Sequence, residues 1–145
     1  MLIKNAKTVL SNSVLKRDIL VKNGKIADIA PTLDVAGEEI YDASGLTLLP
    51  GFIDSHAHGA VGYLCSNEGS DLQAILDFEA SEGVTTWALT HHTMAIDEFE
   101  ARLPEALELM AKSKTGAKIG GIHAEGPFIN VSKKGAMNEK RIALY

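Results

Sequence analysis

The run Pro50-Gly51-Phe52-Ile53-Asp54-Ser55-His56-Ala57-His58-Gly59 sets two histidines two residues apart at the end of an apolar segment. Side chains alternate across an extended strand, so His56 and His58 fall on one side of it. Two imidazoles projecting together from a rigid strand end can share a divalent cation. The bland alternative is a pair of turn histidines holding nothing, and the Pro-Gly-Phe-Ile-Asp context weighs against it. A second run, Gly120-Gly121-Ile122-His123-Ala124-Glu125-Gly126-Pro127-Phe128, drives a strand straight into a histidine, a carboxylate and a Gly-Pro turn. A charged Glu125 at the end of a buried strand needs a partner, because an isolated buried carboxylate is costly. A metal ion would supply one; a lysine or the start of a following helix are the alternatives. His123 alternates away from Ala124, and a hydrogen-bonded packing role serves it as well as a functional one.

The remaining reactive side chains carry weaker signals. In Thr90-His91-His92-Thr93 successive residues face opposite ways, so at most one of His91 and His92 joins a site, and polar loop packing is the favoured reading over ligation. Lys133 and Lys134 could attract a phosphate or simply form a solvated pair. Cys65 has no basic neighbour to lower its pKa, so a catalytic thiol is not expected. Trp87 sits mid-strand and reads as core.

These residues need a scaffold, and the spacing of apolar residues supplies one. The first forty-odd residues read as strands and turns: Leu2 to Leu10 in one extended run, then Asp18 to Val21, Lys25 to Ile29 and Glu39 to Ala43. Asn23-Gly24 tolerates positive φ at both positions and predicts a hairpin between the second and third runs. Beyond Gly45 the run Leu46 to Ile53 is nearly continuous and apolar, as expected of one strand buried on both faces. Ser70-Asp71-Leu72-Gln73 reads as a capping box ahead of a helix carrying Leu72, Ile75, Leu76 and Ala80, with Gly83 placed to stop it. Val84 to Leu89 is the next strand. Phe99, Leu103, Ala106, Leu107 and Met110 line one face of a second helix ending before Gly116, and Lys118 to Ile122 is the third strand. Strand, helix, strand, helix, strand begins an α/β barrel or a doubly wound sheet. Three strands cannot close a barrel, which takes about 250 residues. After Glu125 the chain reads as loop, and Glu139 to Tyr145 at most begins a helix.

Composition narrows the function classes. The 145 residues are 46% hydrophobic and 23% charged with a net charge of -5, an ordinary globular balance. Basic residues are scattered, so no stripe exists for nucleic acid or anionic lipid, and neither is expected as a partner. The most apolar stretch is broken by Pro50-Gly51 and falls short of the about 20 residues of a membrane span. With a single cysteine and no apolar leader after Met1, a cytoplasmic protein is the expectation.

The N-terminal β module ending in Asp42-Ala43-Ser44-Gly45-Leu46, followed by the Pro50 to Gly59 run, resembles the opening of the amidohydrolase superfamily. Within it, Gly83-Val84-Thr85-Thr86, His123-Ala124-Glu125-Gly126-Pro127-Phe128-Ile129-Asn130 and Lys133-Lys134-Gly135-Ala136 resemble the N-acetylglucosamine-6-phosphate deacetylase family. His-x-His is shared by the whole superfamily; the His-x-Glu-Gly-Pro-Phe run is far more specific. The resemblance implies an α/β fold: the N-terminal part of a small β-sandwich over residues 1–45, then the first three strands of an incomplete metal-dependent (β/α)8 barrel over residues 46–145. It implies removal of the acetyl group from an N-acetyl-hexosamine 6-phosphate, in amino-sugar catabolism. One or two divalent ions, zinc in the first place, would polarise the acetamide carbonyl and acidify the attacking water. By position Glu125 would be the principal carboxylate ligand, with His56 and His58 binding a second ion. The general acid/base aspartate and further histidine ligands would lie beyond Tyr145. Met137 stands where the family carries a histidine that contacts substrate, so Met137 and Asn138 are the candidate substrate contacts. The family's partners are a small amino-sugar phosphate and, for the complete enzyme, a second copy in a homodimer. The rivals are another amidase of the superfamily, D-aminoacylase- or dihydroorotase-like, and a non-catalytic remnant that binds a metal or a partner.

Overall fold

The computed structural model describes residues 1–143, in two compact units that divide after Pro50, a few residues beyond the boundary expected at 45/46. The first unit is one sheet. β1 (Leu2–Val9) is central to it, pairing antiparallel with β2 (Val14–Lys22) and parallel with β4 (Ile40–Asp42) and β5 (Thr47–Leu48). β3 (Lys25–Ala30) pairs antiparallel with β2. Lys22 and Lys25 are partners across the turn, and Asn23 and Gly24 have φ of 52° and 70°, the geometry expected of that dipeptide. Ala6, Ile19 and Ala43 form a small buried core with Ile3, Val21 and Leu48 against it. Asp18, buried at the β1/β2 bulge, accepts from the backbone N–H of Asn5 (2.8 Å) and of Leu33 (3.0 Å) and faces Lys4 Nζ at 3.6 Å. Burial alone would raise its pKa, but the two amides and the lysine hold it below the usual aspartate value.

The second unit begins at Gly51 and is built on three parallel strands in the order β6 (Phe52–Ala57), β7 (Val84–His91), β8 (Lys118–Ala124). Helices α1 (Leu72–Ser81) and α2 (Ile96–Lys112) make the crossovers. Trp87 and Leu89 on β7, Ile119 on β8, Leu72, Ile75 and Leu76 on α1, Ala106 on α2, and Cys65 form one core. No helix among the described residues is long and apolar enough to cross a membrane.

Four expectations are corrected. The run Leu46 to Ile53 is two strands in two sheets. Lys7 N–H donates to Leu46 O in the first, and Phe52 N–H donates to Gly83 O in the second, with Pro50 between them. Proline lacks the N–H to continue a ladder, so the chain leaves one sheet there and enters the other. Nor is β6 buried on both faces: Ile53 is 73% and Phe52 53% exposed, because β6 has a single strand neighbour, β7, among the described residues. The cap of α1 is Asp71, whose carboxylate accepts from Ala74 N–H at 2.9 Å; Ser70 instead donates to Leu64 O. Leu72, Ile75 and Leu76 are buried as expected, but Glu79 is inside where Ala80 was expected. Burial, with repulsion from Asp54 and Glu82, pushes the Glu79 carboxyl above the ordinary glutamate value. On α2, Leu107 and Met110 are exposed, since the helix packs on β8 and the described residues offer nothing beyond it.

The ends of β7 and β8 run further than the apolar pattern suggests, through Thr90-His91 and His123-Ala124. The segment after Glu125 holds single 3₁₀ turns at Val131–Lys133 and Glu139–Arg141. Of the residues expected to begin a helix there, Leu144 and Tyr145 lie outside the described residues.

Candidate metal centre

In a parallel sheet all strands end on the same edge, so residues just past those ends are neighbours whatever their distance in sequence. β6 delivers His56 and His58, β7 delivers His91 and His92, and β8 delivers His123 and Glu125 to one edge of the second unit. The structure brings His56, His58 and Glu125 together, with one donor atom from each within 4.8 Å of the others. Glu125 Oε2 lies 3.1 Å from His58 Nε2 and 3.8 Å from His56 Nε2, and the two imidazole rings are 5.0 Å apart.

Local backbone chemistry sets this geometry. His56 N–H donates to Asp54 Oδ1 at 2.8 Å, which fixes the irregular end of β6. After His58 the chain folds back so that Cys65 N–H donates to His58 O at 2.8 Å. Gly59 permits that reversal: its φ is +151°, and a Cβ there would collide with Tyr63 O. Glu125 is pinned on both sides by the end of β7. Its N–H donates to His91 O at 2.9 Å and its carbonyl accepts from Thr93 Oγ1 at 2.6 Å. Gly126 follows at φ +110°, where a Cβ would come 2.5 Å from Thr93 Oγ1.

The proton positions follow from the partners. His58 Nδ1 lies 3.3 Å from Thr90 O, a carbonyl that can only accept, so Nδ1 carries a hydrogen, and in the neutral ring Nε2 is then a lone pair. That lone pair faces Glu125 Oε2, an oxygen closed off from solvent and without a hydrogen bond. A lone pair and a buried carboxylate oxygen 3.1 Å apart call for positive charge between them, from a second proton on His58 or from a cation. For tetrahedral zinc the ligand bonds of about 2.0–2.2 Å place neighbouring donor atoms about 3.4 Å apart; the two histidine–carboxylate distances, 3.1 and 3.8 Å, bracket this value, and the three donors as a set lie within 4.8 Å. The donor set, two imidazoles and a carboxylate, suits zinc or a similar divalent ion.

The other singled-out residues fall outside that cluster. His91 is 1% exposed, with its ring edge-on to Phe99 at 5.4 Å and its pKa held down by burial. His92 lies 6.4 Å from the His58 ring, takes its backbone support from Ser66 Oγ, and is likewise pushed down by burial. The Cys65 thiol is buried and pushed up to about 11, an inert form. Lys134 Nζ is spent on Met137 O, and Asn138 Oδ1 caps the Glu139–Arg141 turn. Sequence reasoning missed Thr90 and Thr93, which anchor His58 and Glu125. The available signal was a pair of hydroxyls flanking two histidines where a buried strand ends.

No family model matches the chain. It is 33% identical over 122 residues, 82% of this chain and 31% of the relative, to N-acetylglucosamine-6-phosphate deacetylase from Lysinibacillus sphaericus. A crystal structure of N-acetylglucosamine-6-phosphate deacetylase from Pasteurella multocida superposes with a TM-score of 0.87 at 27% identity, covering 98% of this chain and 38% of that one. A dihydroorotase from Pediococcus pentosaceus is 42% identical over only 57 residues, 39% of this chain and 13% of the relative. The chain thus spans about a third of the length of the deacetylases it matches.

Proposed function

Because the chain is related along most of its length to the N-terminal part of N-acetylglucosamine-6-phosphate deacetylases, we propose that it forms the metal-bearing front part of an enzyme that hydrolyses the acetamide of an N-acetyl-hexosamine 6-phosphate. The observation that carries the reading is the His56, His58 and Glu125 cluster at one strand edge, with a buried carboxylate oxygen awaiting a cation. On this reading β6, β7 and β8 are the first three strands of a (β/α)8 barrel, and the first unit is one part of a β-sandwich. Active sites of such barrels gather at the strand ends where these residues lie. Met137 and Asn138 stay our candidates for substrate contact. We place the enzyme in the cytoplasm, which its lone, buried, unpaired Cys65 fits.

Zinc, bound here, would polarise the acetamide carbonyl and acidify a water at neutral pH. The chain's own residues prepare for it. Glu125 brings the negative charge that makes a cation favourable, held in place by His91 O and Thr93 Oγ1. His58, proton on Nδ1, offers Nε2 without further ionisation. His56 stands opposite it on the same strand end, with Asp54 holding its backbone.

The dihydroorotase likeness, over 57 residues, favours a rival whose substrate is a cyclic amide. Comparison of kcat/KM for the full-length protein separates them. N-acetylglucosamine 6-phosphate should lead N-acetylglucosamine, an N-acyl amino acid and dihydroorotate. A lead by dihydroorotate would replace the reading. Absence of turnover on all four, with or without bound metal, would favour the non-catalytic remnant that binds a metal or a partner.

A further inference from the structure

We infer that Thr90 positions two imidazoles of this site at once, and that one of them, His123, presents Nε2 as a hydrogen-bond acceptor to the substrate beside the cation; the second half rests on the hydrolase reading above. Thr90 is fully buried on β7, in register with His123 on β8. Its carbonyl faces His58 Nδ1 at 3.3 Å, and its hydroxyl faces His123 Nδ1 at 3.4 Å. The hydroxyl has one hydrogen, and at 2.9 Å it is given to Ala88 O. The contact with His123 is therefore satisfied only if Nδ1 donates. That leaves the His123 proton off Nε2, the reverse of the tautomer a free imidazole prefers.

The same residue thus imposes the same tautomer on a cation-facing ring through its backbone and on a second ring through its side chain. The His123 ring lies 5.1 Å from His56, matching the 5.0 Å between His56 and His58, yet it stands outside the three-donor cluster. His123 is exposed, and the ring nitrogen turned toward Thr90 is Nδ1, which leaves Nε2 as the nitrogen for a ligand. An acceptor fixed beside a cation site suits a substrate carrying hydroxyl and amide N–H donors, as an acetylated amino sugar does.

The test uses full-length protein labelled with ¹⁵N in histidine, with the His123 signals assigned by difference against His123→Asn. We expect the Nδ1-protonated tautomer at His123 in the unaltered protein. Thr90→Val, which keeps the carbonyl and the volume but deletes the hydroxyl, should release that tautomer at His123 while leaving His58 unchanged. Bound metal per chain should stay the same, and KM for N-acetylglucosamine 6-phosphate should rise about three- to tenfold, the worth of one neutral hydrogen bond. Thr90→Ser should restore both. An Nε2-protonated His123 in the unaltered protein overturns the positioning role, and that spectrum decides even if Thr90→Val does not fold. Loss of the tautomer without a rise in KM overturns the substrate contact. If no amino sugar is turned over at all, the hydrolase reading fails and takes the substrate contact with it, while the tautomer still decides whether Thr90 positions the ring.

Discussion

Glu125 supplies the negative charge for two imidazoles that carry none of their own. Its Oε2 is closed to water and 3.1 Å from His58 Nε2, while the ring's other nitrogen, Nδ1, faces Thr90 O. Glu125→Gln keeps the shape and removes the charge, so it isolates the electrostatic contribution to cation binding. Loss of an outer partner of a metal ligand already costs about 10–100-fold in affinity, so this change should cost at least as much. Zinc content of the full-length variant, measured after dialysis against a limiting metal buffer, should fall accordingly, and acetate release with it. Near-normal zinc content would demote Glu125 to the partner of a doubly protonated His58.

At the scale of elements, two devices outside the His56, His58 and Glu125 cluster hold the chain in place. Asp71 caps α1 through Ala74 N–H, whereas Ser70 ties the preceding loop to Leu64 O. Asp71→Ala should cost about 1 kcal/mol and speed hydrogen exchange at the Ala74 amide. Ser70→Ala should leave that amide protected; equal exchange in the two variants would return the cap to Ser70. In the first unit, Asp18 joins β1, β2 and the loop at Leu33 through two backbone amides and Lys4. Its pKa is depressed in the folded state, so it binds protons less readily folded than unfolded. Its stabilising contribution is therefore complete above the unfolded aspartate value of about 4 and is lost as pH falls through the lower folded value. Asp18→Asn should lower the denaturant midpoint at pH 7 and flatten its dependence on pH below about 4. An unchanged acid limb would mean that the carboxylate is not the group being titrated.

For the molecule as a whole, the second unit presents unsatisfied surfaces. Within the described residues β6 and β8 are sheet edges, and Phe52, Ile53, Leu107 and Met110 stand exposed beside or near them. Unpaired parallel edges and apolar side chains favour association with other chains. A net charge of -5 opposes aggregation without supplying the missing contacts. We expect the 145-residue chain, prepared alone, to populate associated species in light scattering at micromolar concentration. A concentration-independent monomer with one cooperative unfolding transition would show that these edges are tolerated in water.

Much of this protein is readable from local spacing. Asn23-Gly24 predicts its hairpin because positive φ is a property of those two residues. The periodicities of Leu72 to Leu76 and Phe99 to Ala106 predict their helices, and the two histidine-bearing runs mark the residues that converge. Sequence spacing did not show which strand of the apolar run belongs to which sheet, since Pro50 divides it by denying a hydrogen bond to a neighbour far away in sequence. The burial of Glu79 in place of Ala80 and the exposure of Leu107 and Met110 were hidden for a related reason: burial depends on what packs opposite a helix face as well as on the pattern along it. The double role of Thr90 is of the same kind. Its carbonyl and hydroxyl acquire meaning only once parallel pairing sets β6 and β8 on either side of β7, so that residues 32 and 33 positions away meet one side chain and its backbone.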